Sequence, residues 1–106
     1  MFLMRKTALK VLILIVFLTN ITGLVNAQVT LIPDPRFEQE LINLGLDVAP
    51  LNGSVPRVNI SAITSLDVAN RNITDLTGIQ DFVSLRSLAC NNNNLATLDL
   101  SKNTAL

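Results

Sequence analysis

The stretch of sequence that decides the fold is residues 85–95, which read LRSLACNNNNL. Its apolar residues are separated by three, two and five positions, at Leu85, Leu88, Cys90 and Leu95. The same intervals occur 22 residues earlier, beginning at Ile63, and a further copy begins at Leu106. Self-similarity at a period of roughly 20–29 residues is typical of a solenoid, in which each repeat forms one coil. The sequence therefore predicts coils stacked along a common axis.

Alternation within this stretch assigns each side chain to one face of a short strand. Leu88 and Cys90 are predicted to point into the coil, where a cysteine behaves as a small hydrophobic residue. Ser87 and Asn91 are predicted to face outward. The chain then turns without a helix, and the side-chain amide of Asn93 is predicted to bond the backbone groups of that corner.

The segment between the two predicted strands returns the chain to the start of the next coil. Its apolar residues recur at every third position, at Ile73, Leu76, Ile79 and Phe82. This spacing predicts a 3₁₀-like return with one face inward, and Gly78 eases the turn. Residues 95–103 restate the strand motif half a period later, which predicts that the return side of the second coil is also extended.

The residues before the repeats begin with a predicted helix over about residues 35–44. Asp34 is suited to accept hydrogen bonds from the first free backbone N–H groups, and Pro35 fits the first helical position. Gly45 is placed to end the helix in a left-handed turn. Phe37, Leu41 and Leu44 form one apolar stripe, whereas Glu38 and Glu40 are predicted to lie on a solvated face.

Residues 47–62 are rich in turn signals, including Pro50, Asn52-Gly53 and Pro56. Val58 and Ile60 alternate with polar neighbours, which predicts a short edge strand at this point.

Residues 1–27 have the three regions of a secretory signal peptide in order. A basic start is followed by the apolar run Val11–Leu18, and Val25-Asn26-Ala27 supplies small residues at a cleavage site. The run is shorter than the roughly 20 residues that a membrane-spanning helix needs. We therefore predict cleavage after Ala27 and a secreted or cell-surface protein with no membrane span after cleavage.

Composition excludes several classes of function. Arg5, Lys6 and Lys10 belong to the predicted signal peptide, so residues 28–106 carry five basic and eight acidic side chains, a net charge of −3. Nucleic-acid binding requires a basic face and is not predicted. The chain has no histidine and one cysteine, which excludes a histidine-based triad, a multi-cysteine zinc site and an internal disulfide. We predict no enzymatic activity, no cofactor and no metal site.

Residues 85–95 match the leucine-rich-repeat consensus L-x-x-L-x-C-x-x-N-x-L at every defined position, whereas the earlier copy has Arg71 at the asparagine position. Together with the predicted helix, these residues resemble the secreted leucine-rich-repeat proteins of bacterial surfaces, in the broad internalin-like class. The resemblance covers about residues 31–106. It implies that the opening helix caps the core and that the repeats bind proteins or other surface ligands through their strand face.

The predicted fold is an α/β leucine-rich-repeat solenoid fragment, with an N-terminal capping unit at residues 28–62 and about two coils at residues 63–106. The predicted function is a protein-interaction module of an exported bacterial surface or secreted protein. Its partner would be a protein or another surface ligand. The outward residues of the possible partner-binding face are Ser65, Asp67, Ser87, Asn91, Thr97, Asp99 and Ser101.

Two alternatives remain open from the sequence. The chain is expected to lack a polar C-terminal cap, so it could be a truncated gene product or an incomplete gene model without independent activity. A small hydrolase that uses Asp67 with Asp99 is the other alternative, although carboxylates in such positions usually lie on a solvated face.

Overall fold

The computed structural model describes residues 28–106, and the predicted signal peptide lies outside the described residues. In chain order the elements are strand β1 (Val29–Leu31), helix α1 (Pro35–Asn43), strand β2 (Ser54–Pro56), a 3₁₀ turn (Arg57–Asn59), strand β3 (Ser65–Asp67), a second 3₁₀ turn (Ile79–Asp81) and strand β4 (Ser87–Ala89). Among these residues no helix has the length and apolar character needed to span a bilayer.

Helix α1 is bounded by the residues that the sequence indicates. The Asp34 carboxylate accepts a hydrogen bond from the Arg36 N–H at 2.8 Å, and Pro35 occupies the first turn. Gly45 follows the helix with a φ of +79°, a conformation that glycine adopts without a steric cost. Phe37 and Leu41 are completely buried and fix the face that α1 turns to the core.

The prediction that Glu38 and Glu40 lie on a solvated face is wrong. Glu38 is 1% exposed and Glu40 is 5% exposed. Glu38 is buried because its carboxylate accepts backbone N–H groups of the loop that follows α1. Glu40 is buried because Arg71 of the first coil covers it in an ion pair, with Nε 2.7 Å from Oε2. Polar partners in distant segments thus override the amphipathic pattern of the helix.

The predicted edge strand at Val58–Ile60 is also wrong. β2 lies earlier, at Ser54–Pro56, and pairs antiparallel with β1, which sequence analysis did not anticipate. The chain then turns, because the Ile60 and Ser61 N–H groups both donate to the Arg57 carbonyl. Ile60 is buried, whereas Val58 is 76% exposed. The two residues therefore lie in a turn from which only the Ile60 side chain points inward.

β3 and β4 form a parallel pair that carries the repeat. Ser65 lies opposite Ser87, Leu66 opposite Leu88 and Asp67 opposite Ala89, which is an offset of 22 residues. The predicted period is therefore confirmed as the distance from one coil to the next. The return segment also follows the prediction, since all four of its apolar residues are buried: Ile73, Leu76, Ile79 and Phe82.

One hydrophobic core joins the N-terminal unit to the first coil. The rings of Phe37, from α1, and Phe82, from the return segment, stack with centroids 6.3 Å apart. Polar contacts reinforce the junction, because the Thr30 hydroxyl donates to Asp81 Oδ2 at 2.7 Å and Arg57 forms an ion pair with the same carboxylate at 3.2 Å.

The register of β4 predicts unequal effects of two adjacent substitutions. Leu88 is half-buried against the core and Ser87 is exposed. We expect Leu88→Ala to lower the free energy of unfolding by about 2 kcal/mol, the lower end for a leucine truncation, because burial is partial. Ser87→Ala should change it by less than about 0.5 kcal/mol. Urea unfolding of both variants measures the difference, and equal effects would contradict the register.

Candidate partner-binding face

The strand face consists of the outward side chains of β3 and β4. Ser65, Asp67 and Ser87 are exposed, and the parallel register sets Ser65 beside Ser87 on adjacent strands. The Asp67 carboxylate accepts the Ala69 N–H at 3.0 Å, which orients it at the end of β3. Asn91 is exposed where the chain leaves β4, and its carbonyl accepts the Asn70 N–H at 3.1 Å. The structure therefore brings these four predicted site residues onto two neighbouring coils.

Asn93 holds the corner beside this face in the predicted manner. Its Oδ1 accepts the N–H groups of Arg71 and Ile73 at 3.0 and 3.1 Å. Its Nδ2 donates to the carbonyls of Val68 and Cys90 at 2.9 and 3.0 Å. Three of these partners belong to the first coil and one to the second. The prediction that this side chain bonds the backbone of the corner is confirmed, and its hydrogen bonds also join one coil to the next.

Three asparagines adopt a left-handed backbone conformation at the corners. Asn70, Asn72 and Asn92 have positive φ values of 59°, 55° and 57°. Asparagine tolerates this left-handed region better than most residues other than glycine. The two coils use the conformation at equivalent positions, Asn70 and Asn92, which are 22 residues apart. Sequence analysis missed this role, although asparagine at both positions was the available signal.

Thr97, Asp99 and Ser101 occupy a different place from the one predicted. Thr97 and Asp99 line a groove of about 390 Å³ whose other wall is the return segment of the first coil, including Asp75 and Gln80. Ser101 lies in the same turn, because its N–H donates to Asp99 Oδ1 at 2.9 Å. The motif at residues 95–103 comes half a period after the strand motif, so its outward residues belong to the return side. The structure thus does not bring them together with Ser65 and Ser87.

Asp99 and Asp67 also lie on different sides of the coil, so the pair considered for hydrolysis does not form a common site. Hydrogen bonds from Ser101 lower the pKa of Asp99, and the positive charge of Lys102 contributes in the same direction. The return-side groove thus presents an ionised carboxylate. Within residues 28–106 no three potential metal-binding side chains of His, Cys, Asp or Glu are grouped together.

Arg71 stands at the corner of the first coil, where the consensus has asparagine. Its guanidinium pairs with Glu40, and the hydrogen bond and charge of that carboxylate raise the pKa of Arg71 above its ordinary value. Arg71, which replaces the consensus asparagine, therefore stabilises the junction with α1. The side-chain amide of Asn93, from the next coil, bonds the backbone of this corner instead.

Asp34 is the second polar link between α1 and the first coil. Its Oδ2 accepts the N–H groups of Thr74 and Asp75 at 2.8 and 3.0 Å and the Thr74 hydroxyl at 3.1 Å. Burial alone raises the pKa of Asp34, but the hydrogen bonds from Thr74, Arg36 and Asp75 outweigh it, so the pKa lies below its ordinary value.

This lowered pKa predicts acid sensitivity at the junction. The folded protein binds the Asp34 proton more weakly than the unfolded chain does, so the stabilisation is present above the ordinary aspartate pKa and is lost as pH falls through the lowered one. We expect Asp34→Asn to flatten the acid side of the stability profile, measured by urea unfolding at pH values from about 6 to 2. An unchanged profile would contradict the assignment.

Known proteins resemble this chain in sequence and in fold. No family model matches the chain. Over 51 residues the chain is 43% identical to internalin J of Listeria monocytogenes serotype 4b (strain F2365), a match that covers 48% of this chain. Two solved structures from L. monocytogenes resemble it. The functional domain of InlJ, which includes a cysteine ladder, is 35% identical over 74% of this chain with a TM-score of 0.62. The internalin InlF is 27% identical over 72% of this chain with a TM-score of 0.61.

The chain spans only a small part of these relatives, namely 6% of internalin J and 18% and 22% of the solved InlJ and InlF chains. The resemblance inferred from residues 85–95 is nevertheless confirmed by sequence identity, by the strand register and by the solved folds. The described residues are therefore an internalin-like leucine-rich-repeat segment.

Proposed function

We propose that this chain is a protein-interaction module of an exported protein, and that it binds its partner through the strand face. The proposed contact residues are Ser65, Asp67, Ser87 and Asn91. Their partner is a protein or another ligand on a cell surface. Thr97, Asp99 and Ser101 lie on the return side and are not included in this face.

The observation that carries the proposal is the 22-residue register of β3 and β4. It sets small polar side chains of successive coils side by side, and solenoids commonly use such extended faces for binding. The face contains no aromatic side chain, and aromatic anchors supply much of the energy of protein interfaces. Weak binding by these two coils is therefore expected.

Residues 28–62 act as the N-terminal cap in this proposal. Phe37 and Leu41 cover the core of the first coil, and Glu40 forms an ion pair with Arg71 at its polar edge.

Residues 1–27 act as the signal peptide in the same proposal. Intact-mass analysis of the secreted protein should find Gln28 at its N-terminus, and retention of residues 1–27 in a membrane fraction would contradict this part of the proposal.

An arginine scan of two exposed positions tests the binding face. We expect Ser87→Arg to abolish binding to a panel of immobilised extracellular protein domains, because a long charged side chain would stand between the partner and both strands. Thr97→Arg is the matched control on the return side and should bind like the unmodified chain. Equal loss in both variants, or no loss in Ser87→Arg, would contradict the assignment.

The alternative proposal is that the chain has no independent activity as it stands. It is favoured by Leu98 of the second coil, which is 42% exposed, whereas Leu76 at the equivalent position of the first coil is 3% exposed. Asn103 supports it as well, since Nδ2 donates to the carbonyls of Ile79 and Phe82 while Oδ1 is buried with no partner among the described residues.

The two proposals predict different behaviour in solution. If a further coil is needed, the chain should self-associate or unfold without cooperativity, and added copies of residues 85–105 closed by a polar cap should give a cooperative monomer. Thermal unfolding with light scattering compares the two proteins. Cooperative melting of the unextended chain as a monomer above roughly 60 °C would exclude the alternative.

A further inference from the structure

Two acidic residues of the N-terminal unit are buried without a basic partner. Glu38 of α1 is 1% exposed and Asp47 of the following loop is 8% exposed. Both Glu38 oxygens are occupied by that loop, since Oε2 accepts the Asn52 N–H at 2.9 Å and Oε1 accepts the Gly53 N–H at 2.8 Å. Glu38 thus holds residues 44–53 against the helix.

Asp47 lies against Glu38 with one oxygen unused. Its Oδ1 accepts the Val48 N–H at 2.8 Å, whereas Oδ2 is fully buried and has no donor among the described residues. The charged neighbour of Asp47 is the buried carboxylate of Glu38. Two ionised carboxylates in such a position repel each other and leave a buried oxygen unsatisfied, and a single proton on Asp47 removes both costs.

The other charged groups of this region are paired elsewhere or exposed to solvent. Glu40, on the same helix, is bound by Arg71, and Arg57, after β2, is bound by Asp81. Asp34, before α1, accepts its donors from the first coil, and Arg36 is exposed. The charged side chain that acts on Asp47 is Glu38.

We propose that Asp47 is protonated in the folded protein beside the buried Glu38 carboxylate, and that this proton keeps loop 44–53 closed on α1. The N-terminal unit then responds to pH, because loss of the proton places two negative charges in a buried site. The loop would open at its contact with Glu38, which frees the Asn52 and Gly53 N–H groups.

The direction of the response follows from the proton affinities. Burial and the neighbouring Glu38 carboxylate raise the pKa of Asp47, despite the opposing hydrogen bond from Val48. The folded protein therefore binds this proton more tightly than the open or unfolded chain. The stabilisation is complete below the ordinary aspartate pKa and is lost as pH rises through the raised one.

Hydrogen exchange of the full chain tests the proposal at the two amides concerned. From pH about 4 upward, the protection factors of the Asn52 and Gly53 amides should fall by about tenfold per pH unit and then level off once the proton is lost. Amides in β3 should not follow this dependence. A protection factor independent of pH from about 4 to 8 would overturn the proposal, and this measurement needs no variant.

Three variants separate a proton on Asp47 from other causes of the pH dependence. Asp47→Asn carries an amide that can donate to Glu38 and cannot titrate, so its protection should be high and independent of pH. Glu38→Gln has one acceptor for two backbone donors and should lose protection at every pH. Asp75→Asn, an exposed carboxylate on the return side, is the matched control and should keep the original dependence. Retention of the pH dependence in Asp47→Asn would overturn the proposal.

A bound cation is the other way to neutralise the pair. If millimolar Ca²⁺ raised the protection of Asn52 and Gly53 in the original chain but not in Asp47→Asn, a cation rather than a proton would lie between the carboxylates, and the proposal would fail. None of these outcomes depends on the strand face, so they leave the proposed binding function to its own test.

Discussion

Replacement of Asn93 with alanine should lower the free energy of unfolding by about 3–4 kcal/mol. The side chain makes five hydrogen bonds with the backbone of two coils, and its removal deprives two donors and three acceptors of the corner of this partner. An unsatisfied buried polar group costs about 1–3 kcal/mol, and water can replace part of the bonding at the more exposed Arg71. Urea unfolding at neutral pH measures the loss.

Asn94 is the matched control for this prediction because it is exposed and adjacent. Its side chain forms no hydrogen bond in the described part of the chain, so Asn94→Ala should change stability by less than about 0.5 kcal/mol. Equal stability of the two alanine variants would contradict the conclusion that Asn93 joins the coils.

Gly78→Ala should destabilise the protein by about 3–5 kcal/mol. Gly78 has a φ of +110°, which strains any residue with a Cβ. The added Cβ would also lie 2.3 Å from Ile32 Cδ1 and 2.9 Å from the Leu31 carbonyl oxygen. The isoleucine end can move, but the carbonyl belongs to β1, so the return segment and the N-terminal unit would have to separate.

Gly45→Ala separates the two causes of this effect. Gly45 has a φ of +79° but nothing within 4 Å of an added Cβ, so its alanine variant carries the backbone strain alone. We expect it to cost about 1–2 kcal/mol. Thermal unfolding of both variants gives the comparison, and an equal loss would show that the close approach of Gly78 to β1 has no energetic weight.

The repeat was predictable because it rests on local chemistry. Leu66 and Leu88 alternate with small or polar neighbours, and a strand of three residues has few ways to place such a pattern. Asn93 was predictable for the same reason, since a corner without a helix must find partners for its own backbone groups. Helix α1 likewise has its start and end encoded in Asp34 and Gly45.

What could not be predicted depends on residues that are distant along the chain. The antiparallel pairing of β1 with β2 joins Val29 to Pro56, and neither three-residue strand has a pattern of its own. The burial of Glu38 and Glu40 requires Asn52, Gly53 and Arg71 as partners, which helical periodicity cannot reveal. A charged residue on a helix is usually solvated, but these partners keep both glutamates buried.

The positions of the candidate residues could be predicted where one coil follows another, but not where the motif recurs after half a period. Ser65 and Ser87 occupy equivalent positions of two strands, so one rule places both. Thr97 and Asp99 obey the same local pattern, but they come after the corner at Asn93, which has already turned the chain to the return side. Spacing alone does not distinguish the two sides of a coil.

The hydrogen bond between Thr30 and Asp81 has a consequence for the order in which the molecule is made. The two residues are 51 positions apart, whereas successive coils meet after 22. At a synthesis rate of about 5–20 residues per second, Thr30 leaves the ribosome about 3–10 s before the Asp81 carboxylate that accepts its hydrogen bond. Among residues 28–106, the N-terminal unit is therefore synthesised first and waits longest for the residues that anchor it. The apolar surface of Phe37 stays uncovered in the interval.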